Sequence, residues 1–104
     1  MENLEFISFQ IIAFVGTARG MFVEAMKNAR EGKIEEAAAL IKKGEEVMNE
    51  GHRAHMEVLT MQANEVQLPF DLLLVHAEDQ MMSAETIKLM AEEFVHLYKN
   101  GLKG

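Results

Sequence analysis

Apolar side chains recur every three or four residues through almost the whole chain, which is the period of an α-helix. In the first segment the apolar or small residues that share one helical face, here called its seam, are Leu4, Ile7, Ile11, Phe14, Ala18, Met21, Ala25 and Ala29. The second has its apolar face at Ile34, Ala37, Ala38, Ile41, Val47, Met48, Met56 and Leu59. No segment shows the strict apolar and polar alternation of a half-buried β-strand. The pattern predicts an all-α protein.

Two interruptions divide the periodic sequence into three helices. Gly32 is the first interruption, and it is predicted to end the first helix, because glycine adopts the left-handed conformation of a helix end without a steric penalty. The second interruption, at residues 64–69, contains Pro69, which has no N–H group and holds Leu68 extended. Short connections place consecutive helices antiparallel. We predict one domain over residues 1–104, an antiparallel three-helix bundle with helices at about 2–31, 33–64 and 70–100, each roughly 40 Å long at about 1.5 Å per residue.

The first half of the first helix is apolar around most of its circumference. A second apolar set joins the seam there: Phe6, Phe9, Ile12, Ala13 and Val15. Such a helix has to be covered on more than one side, and a chain of 104 residues has only a small core of its own. Gly16 and Gly20 predict a place where a neighbouring helix approaches closely. We therefore expect partner chains to cover part of the bundle.

Charge, cysteine content and segment length exclude several functions. Acidic residues outnumber basic ones by 17 to 10, a formal charge of −7 that argues against nucleic acid or an anionic membrane as partner. The chain has no cysteine, so it forms no disulfide and offers no thiolate. The apolar run at residues 6–15 follows no basic segment and is shorter than the roughly 20 residues that span a bilayer. We expect a cytoplasmic protein without membrane insertion.

A histidine interrupts the apolar stripe of the third helix. Helical spacing places on one stripe Leu72, His76, Asp79, Gln80, Ser83, Ile87, Met90, Phe94 and Leu97. The first half of the stripe carries an imidazole, a carboxylate, an amide and a hydroxyl where packing alone favours Leu or Ile. Side chains that break a packing pattern point to function. A core histidine hydrogen-bonded to a neighbour fits the same pattern and stays an alternative.

His76 has the chemistry of a nucleophile. A neutral imidazole attacks electrophiles near pH 7, and an adjacent group can fix its tautomer. Asp79 and Gln80 lie one turn further on, within reach of the imidazole or of a group attached to it. The amide of Gln80 can donate a hydrogen bond to a phosphoryl oxygen. Glu78 points to the opposite side of the helix, and we interpret it as a surface charge.

Three further side chains are candidate ligands. His52 and His55 have a spacing that can bind a metal, but no third ligand is evident, and packing on the helix seam or at a subunit boundary is the alternative. Asp79 lies at the edge of the apolar stripe, where a lone carboxylate is costly to desolvate. It therefore faces either a wet crevice or a cation. His96, opposite the stripe, is predicted to be exposed.

Several segments together resemble a known family. Residues 73–82 read Leu-Leu-Val-His-Ala-Glu-Asp-Gln-Met-Met. Supporting segments are Gly-Thr-Ala-Arg at 16–19, Glu-Ala-Met-Lys-Asn-Ala-Arg-Glu-Gly at 24–32, Glu-Gly-His at 50–52 and Leu-Tyr-Lys at 97–99. In this order and spacing the chain resembles, over nearly its whole length, the enzyme IIA component of the lactose/cellobiose (diacetylchitobiose) class of the bacterial phosphoenolpyruvate-dependent sugar phosphotransferase system.

The resemblance implies a cytoplasmic phosphocarrier. His76 would accept a phosphoryl group from the protein HPr and pass it to the cysteine of a sugar-specific IIB component, during uptake of a β-linked disaccharide such as cellobiose or lactose. Gln80 would hydrogen-bond the phosphoryl group or the imidazole. The resemblance also implies a homotrimer with Asp79 near its axis, where three carboxylates would hold a divalent cation such as Mg²⁺.

The chain departs from the family pattern at a few positions. Where the family usually reads His-Ala-Gln-Asp-His, this chain has Glu78 for the glutamine and Gln80 for the second histidine, and Thr17 stands where aspartate is common. Two alternatives stay open. One is a non-catalytic helical oligomerisation or regulatory module. The other is a histidine phosphotransfer module of a two-component system, which typically has a lysine where this chain has Gln80.

Overall fold

The computed structural model describes residues 2–64 and 71–101, and all but a few of these residues are helical. The helices are α1 (Glu2–Arg30), α2 (Ile34–Ala63) and α3 (Leu72–Asn100), and the described residues contain no strand. The prediction of an all-α, antiparallel three-helix fold is confirmed. The predicted break at Pro69 lies outside the described residues.

Local chemistry accounts for the described helix ends. Gly32 has φ +84°, and after it the Lys33 N–H donates to the Asn28 carbonyl at 2.8 Å. Asp71 caps α3, because its Oδ1 accepts from the Leu74 N–H at 3.1 Å. Such a cap contributes about 1 kcal/mol to stability. Gly101, with φ +74°, ends α3 by donating its N–H to the Leu97 carbonyl at 2.8 Å.

α1 is the central helix of the bundle. It packs along both α2 and α3, whereas α2 and α3 contact each other little. Its buried seam is Leu4, Ile7, Ser8, Ile11, Val15, Ala18, Phe22, Ala25 and Ala29. The predicted Phe14 and Met21 are only half-buried, and Val15 and Phe22 take their places. α1 is long and apolar enough to cross a bilayer, but a central bundle helix has the same composition, so this is weak evidence for a membrane span.

The close approach between helices occurs at glycines of α2. A Cβ at Gly51 would lie 2.9 Å from Cγ1 of Val15, and a Cβ at Gly44 would overlap the ring of Phe22. The prediction that Gly16 and Gly20 serve this purpose is wrong within the chain, because a Cβ at either position meets nothing within 4 Å. Both glycines are exposed, and the close contacts of α2 with α1 are at Val15 and Phe22 instead.

α3 packs on α1 through a different face from the one that the sequence predicted. Its buried residues are Ala77, Met81, Ala84 and Ala91. The predicted stripe through Leu72, His76 and Met90 lies outward instead, with all three side chains exposed. Three of the four buried residues are alanines, whose small side chains let α3 approach α1 closely. Leu74, Ile87 and Val95 pack partly against the core, whereas other large apolar side chains are left on the surface: Leu72, Val75, Met82, Leu89 and Met90.

Candidate functional site

The outward face of α3 carries a long apolar surface, here called the outer stripe: Leu72, Val75, His76, Asp79, Met82, Met90 and Leu97. Leu72 is 71% exposed, Met82 60% and Val75 47%. Single apolar side chains are normal on a protein surface, but several on one side of a helix favour a surface for interaction. The outer stripe is therefore the first place to look for a partner or a site.

His76 lies in an open depression at the N-terminal end of the outer stripe. The depression has a volume of about 710 Å³ and is lined by Leu72, Leu73, Val75, His76 and Asp79. The lining is mostly apolar, with one imidazole and one carboxylate. This arrangement rules out the core histidine that the sequence left as an alternative, because the His76 side chain is exposed. It gives an incoming group access to the imidazole.

The other predicted site residues surround His76 without binding it. Asp79 is exposed, whereas Gln80 and Ser83 are half-buried one and two turns further along α3. Helical spacing puts Gln80 and Ser83 on the same flank of α3 as His76. None of the side-chain hydrogen bonds between described residues involves His76, Asp79 or Gln80. Neither ring nitrogen of His76 therefore has a hydrogen-bond partner among residues 2–64 and 71–101.

Glu78 is not the simple surface charge that the sequence suggested. Its Oε2 lies 2.7 Å from Nε2 of His55 on α2, and the imidazole side chain is only 15% exposed. One turn before His55 on α2, His52 pairs in the same way with Glu85 of α3 at 3.0 Å. These contacts join residues 23 and 33 positions apart in the sequence. Spacing within one helix could not reveal them.

A metal centre within one chain finds no support. Among residues 2–64 and 71–101, no three histidine, aspartate or glutamate side chains gather in a way that could hold a metal ion. His52 and His55 each face a carboxylate of α3 instead of sharing a ligand. Asp79 offers one exposed carboxylate, a suitable ligand for an oxygen-preferring cation but too few ligands alone. A cation at Asp79 would need carboxylates from further copies of the chain.

Comparisons with known proteins agree on one family. The family model "PTS system, Lactose/Cellobiose specific IIA subunit" matches residues 6–99. The oligo-beta-mannoside-specific EIIA component of Bacillus subtilis (strain 168) is 37% identical over 95 residues, which are 91% of this chain and 86% of that protein. The lactose-specific EIIA component of Staphylococcus aureus (strain N315) is 31% identical over 100 residues, 96% of this chain and 97% of that protein.

A solved structure supports the same assignment. The cellobiose-specific enzyme IIA of Bacillus anthracis is similar with a TM-score of 0.86 at 39% identity, covering 89% of this chain and 85% of that chain. Sequence and fold thus agree over most of the molecule, as the resemblance implied. Components of this kind are phosphotransferases with a phosphohistidine intermediate. The chain therefore belongs to the lactose/cellobiose-specific IIA family of the phosphotransferase system and is a phosphocarrier for the uptake of β-linked sugars.

Proposed function

We propose that His76 is the residue that carries the phosphoryl group. The chain has four histidines, and the other three have side-chain partners. His52 and His55 pair with Glu85 and Glu78, and Nδ1 of His96 accepts from the Asn100 amide at 3.1 Å. His76 is exposed, lies in an apolar depression and has no hydrogen-bond partner among the described residues. That exposed imidazole in an apolar depression is the observation that carries the proposal.

The chemistry requires little beyond a positioned nucleophile. A lone pair on a ring nitrogen of His76 attacks the phosphorus of the donor, so that an N–P bond forms while the bond to the donor breaks. Gln80 donates its amide N–H to a phosphoryl oxygen, where negative charge accumulates. In the second half-reaction a thiolate of the acceptor attacks the same phosphorus, and the N–P bond breaks with its electron pair returning to the ring nitrogen. His76, which has kept the proton on its other ring nitrogen, leaves as neutral imidazole.

The partners follow from the family. Members take part in interactions with HPr and with a IIB component. In this proposal HPr is the donor, a cysteine of a sugar-specific IIB component is the acceptor, and transfer takes place in the cytoplasm. The apolar depression around His76 suits both proteins, because each has to cover the same nitrogen. The transported sugar is a β-linked disaccharide such as cellobiose or lactose.

The outer stripe supports a homotrimer. In a single chain the stripe leaves Leu72, Met82 and Met90 in water, and burial of such side chains stabilises by about 1.5 to 3 kcal/mol each. Three copies of α3 meeting along this stripe would bury these side chains and bring three Asp79 carboxylates together. Such carboxylates repel one another unless a divalent cation such as Mg²⁺ neutralises them. Asp79 is exposed and on the stripe, as such a site requires.

The test is the intact mass of the protein after incubation with phosphoenolpyruvate, enzyme I and HPr. The wild-type protein should gain one acid-labile phosphoryl group, and His76→Ala should gain none. His96→Ala is the matched control, because it removes an exposed imidazole from the same helix and should leave the gain unchanged. Phosphorylation of His76→Ala would contradict the proposal. Absence of any gain in the wild type, while HPr itself is phosphorylated, would favour the non-catalytic module.

A further inference from the structure

Charged and imidazole side chains join α2 and α3 at three places. The two helices contact each other much less than each contacts α1. Three pairs bridge the gap: Glu45 with Lys88 at 3.4 Å, His52 with Glu85 at 3.0 Å, and His55 with Glu78 at 2.7 Å. His55 is the most buried member, with 15% of its side chain exposed against 31% to 48% for the members of the other two pairs.

Few side chains hold the part of α3 that carries His76 against the rest of the bundle. The first buried residue of α3 is Ala77, and before it Leu72, Val75 and His76 are exposed. Leu73 and Leu74 are half-buried. The position of His76 is therefore set by Leu74 and Ala77 against the core and by the next contact along the helix. That next contact is the hydrogen bond between Glu78 and His55.

We propose that His55, through Glu78, is a positioning residue for phosphoryl transfer at His76; this inference rests on the proposed function of His76. Residues two apart are separated by about 200° around a helix, so His76 and Glu78 lie on opposite flanks of α3. Holding Glu78 against α2 fixes the rotation of α3 and keeps His76 facing the depression. A neutral His55 donates its Nε2–H to the carboxylate, and a protonated His55 forms an ion pair in the same geometry.

The pair His52 with Glu85 provides a matched control. It joins the same two helices through the same two residue types, but it is more exposed and lies more than two turns beyond His76 along α3. A purely structural role predicts similar behaviour for the two pairs. A positioning role predicts that only the pair adjacent to His76 affects the reaction.

The experiment measures kcat and KM for phosphorylation by phosphorylated HPr, together with the thermal midpoint of each variant. His55→Leu should lower kcat by about tenfold, since small misplacement of a reacting group is costly. KM for the donor should change by less than about twofold, because His55 lies outside the depression. His55→Gln, whose amide can still donate to Glu78, should restore kcat to within about threefold of wild type. His52→Leu should leave kcat within about twofold.

A second route covers the case in which His55→Leu does not fold. Glu78→Leu removes the acceptor and should lower kcat as His55→Leu does, whereas Glu78→Gln keeps an acceptor oxygen and should retain most activity. The double variant should be no slower than either single variant, because both remove one contact. An equal loss of kcat in His55→Leu and His52→Leu, or no rescue by glutamine, would overturn the inference. Phosphorylation of His76→Ala would instead overturn the proposed function.

Discussion

Gln80 is the side chain that we expect to assist His76 in phosphoryl transfer. It lies one turn along on the same flank of α3 and is half-buried, so its amide has few orientations available. Because it has no side-chain partner among the described residues, its N–H groups are free to meet a phosphoryl oxygen. Its contribution should therefore appear in the transfer rate, and loss of one such donor from a reaction site slows catalysis by about a hundredfold.

We expect Gln80→Leu to lower the rate of phosphorylation by roughly ten- to a hundredfold, the smaller value applying to a site open to water. Gln80→His keeps an N–H donor at this position and should stay within about fivefold of wild type. Rapid-quench phosphorylation by HPr measures both rates, and circular dichroism checks that the variants keep their helices. If the Gln80→Leu variant were phosphorylated as fast as the wild type, the phosphoryl oxygens would have to be bound by other groups.

Residues within one helix were easier to predict than residues from two. His76, Asp79 and Gln80 are within one turn of each other, so helical spacing alone brings them together. The pairing of Glu78 with His55 depends on how far α3 has slid along α2 and on its rotation. Neither quantity is encoded in the local sequence, which explains why Glu78 was interpreted as a surface charge.

At the scale of the helices, the ends were predictable and the packing faces were not. Gly32, Asp71 and Gly101 act through local backbone geometry and hydrogen bonds, which nearby residues determine. The inward face of α3 is marked by three alanines and Met81, and several larger apolar residues, such as Leu72, Met82 and Leu89, lie outside. A pattern that weights large apolar residues therefore selects the wrong face. Such a face can stay apolar on the surface when another molecule covers it.

The glycines of α2 make the close packing of α1 and α2 testable. Gly44→Ala forces a methyl group into the ring of fully buried Phe22, so we expect a loss of about 1 to 3 kcal/mol in the free energy of unfolding. Gly20→Ala is the control, because its Cβ meets nothing within 4 Å. It should gain about 0.5 to 1 kcal/mol from the better helix propensity of alanine. Urea denaturation measures both; a lower stability of Gly20→Ala would show that another molecule packs there.

At the scale of the whole molecule, the outer stripe and the negative charge act in opposite directions. Each chain has a formal charge of −7, so assembly brings like charges together. Apolar burial along α3 has to exceed this repulsion, and a cation at Asp79 would reduce it where the carboxylates converge. The same stripe carries His76 near one end. Assembly and the reaction site therefore share one surface.

Native mass spectrometry tests this arrangement. The wild-type protein should have the mass of three 11.7 kDa chains and the added mass of one divalent ion, and Asp79→Asn should lose that ion. Met90→Glu should abolish the trimer, because it puts three more carboxylates into the apolar part of the stripe, where desolvation of a charge is costly. Ala39→Glu adds the same charge to an exposed position of α2 and should leave the trimer intact. A Met90→Glu protein that still forms trimers would show that the chains associate through another face, and α1 with its exposed Phe6 and Phe9 would be the next surface to test.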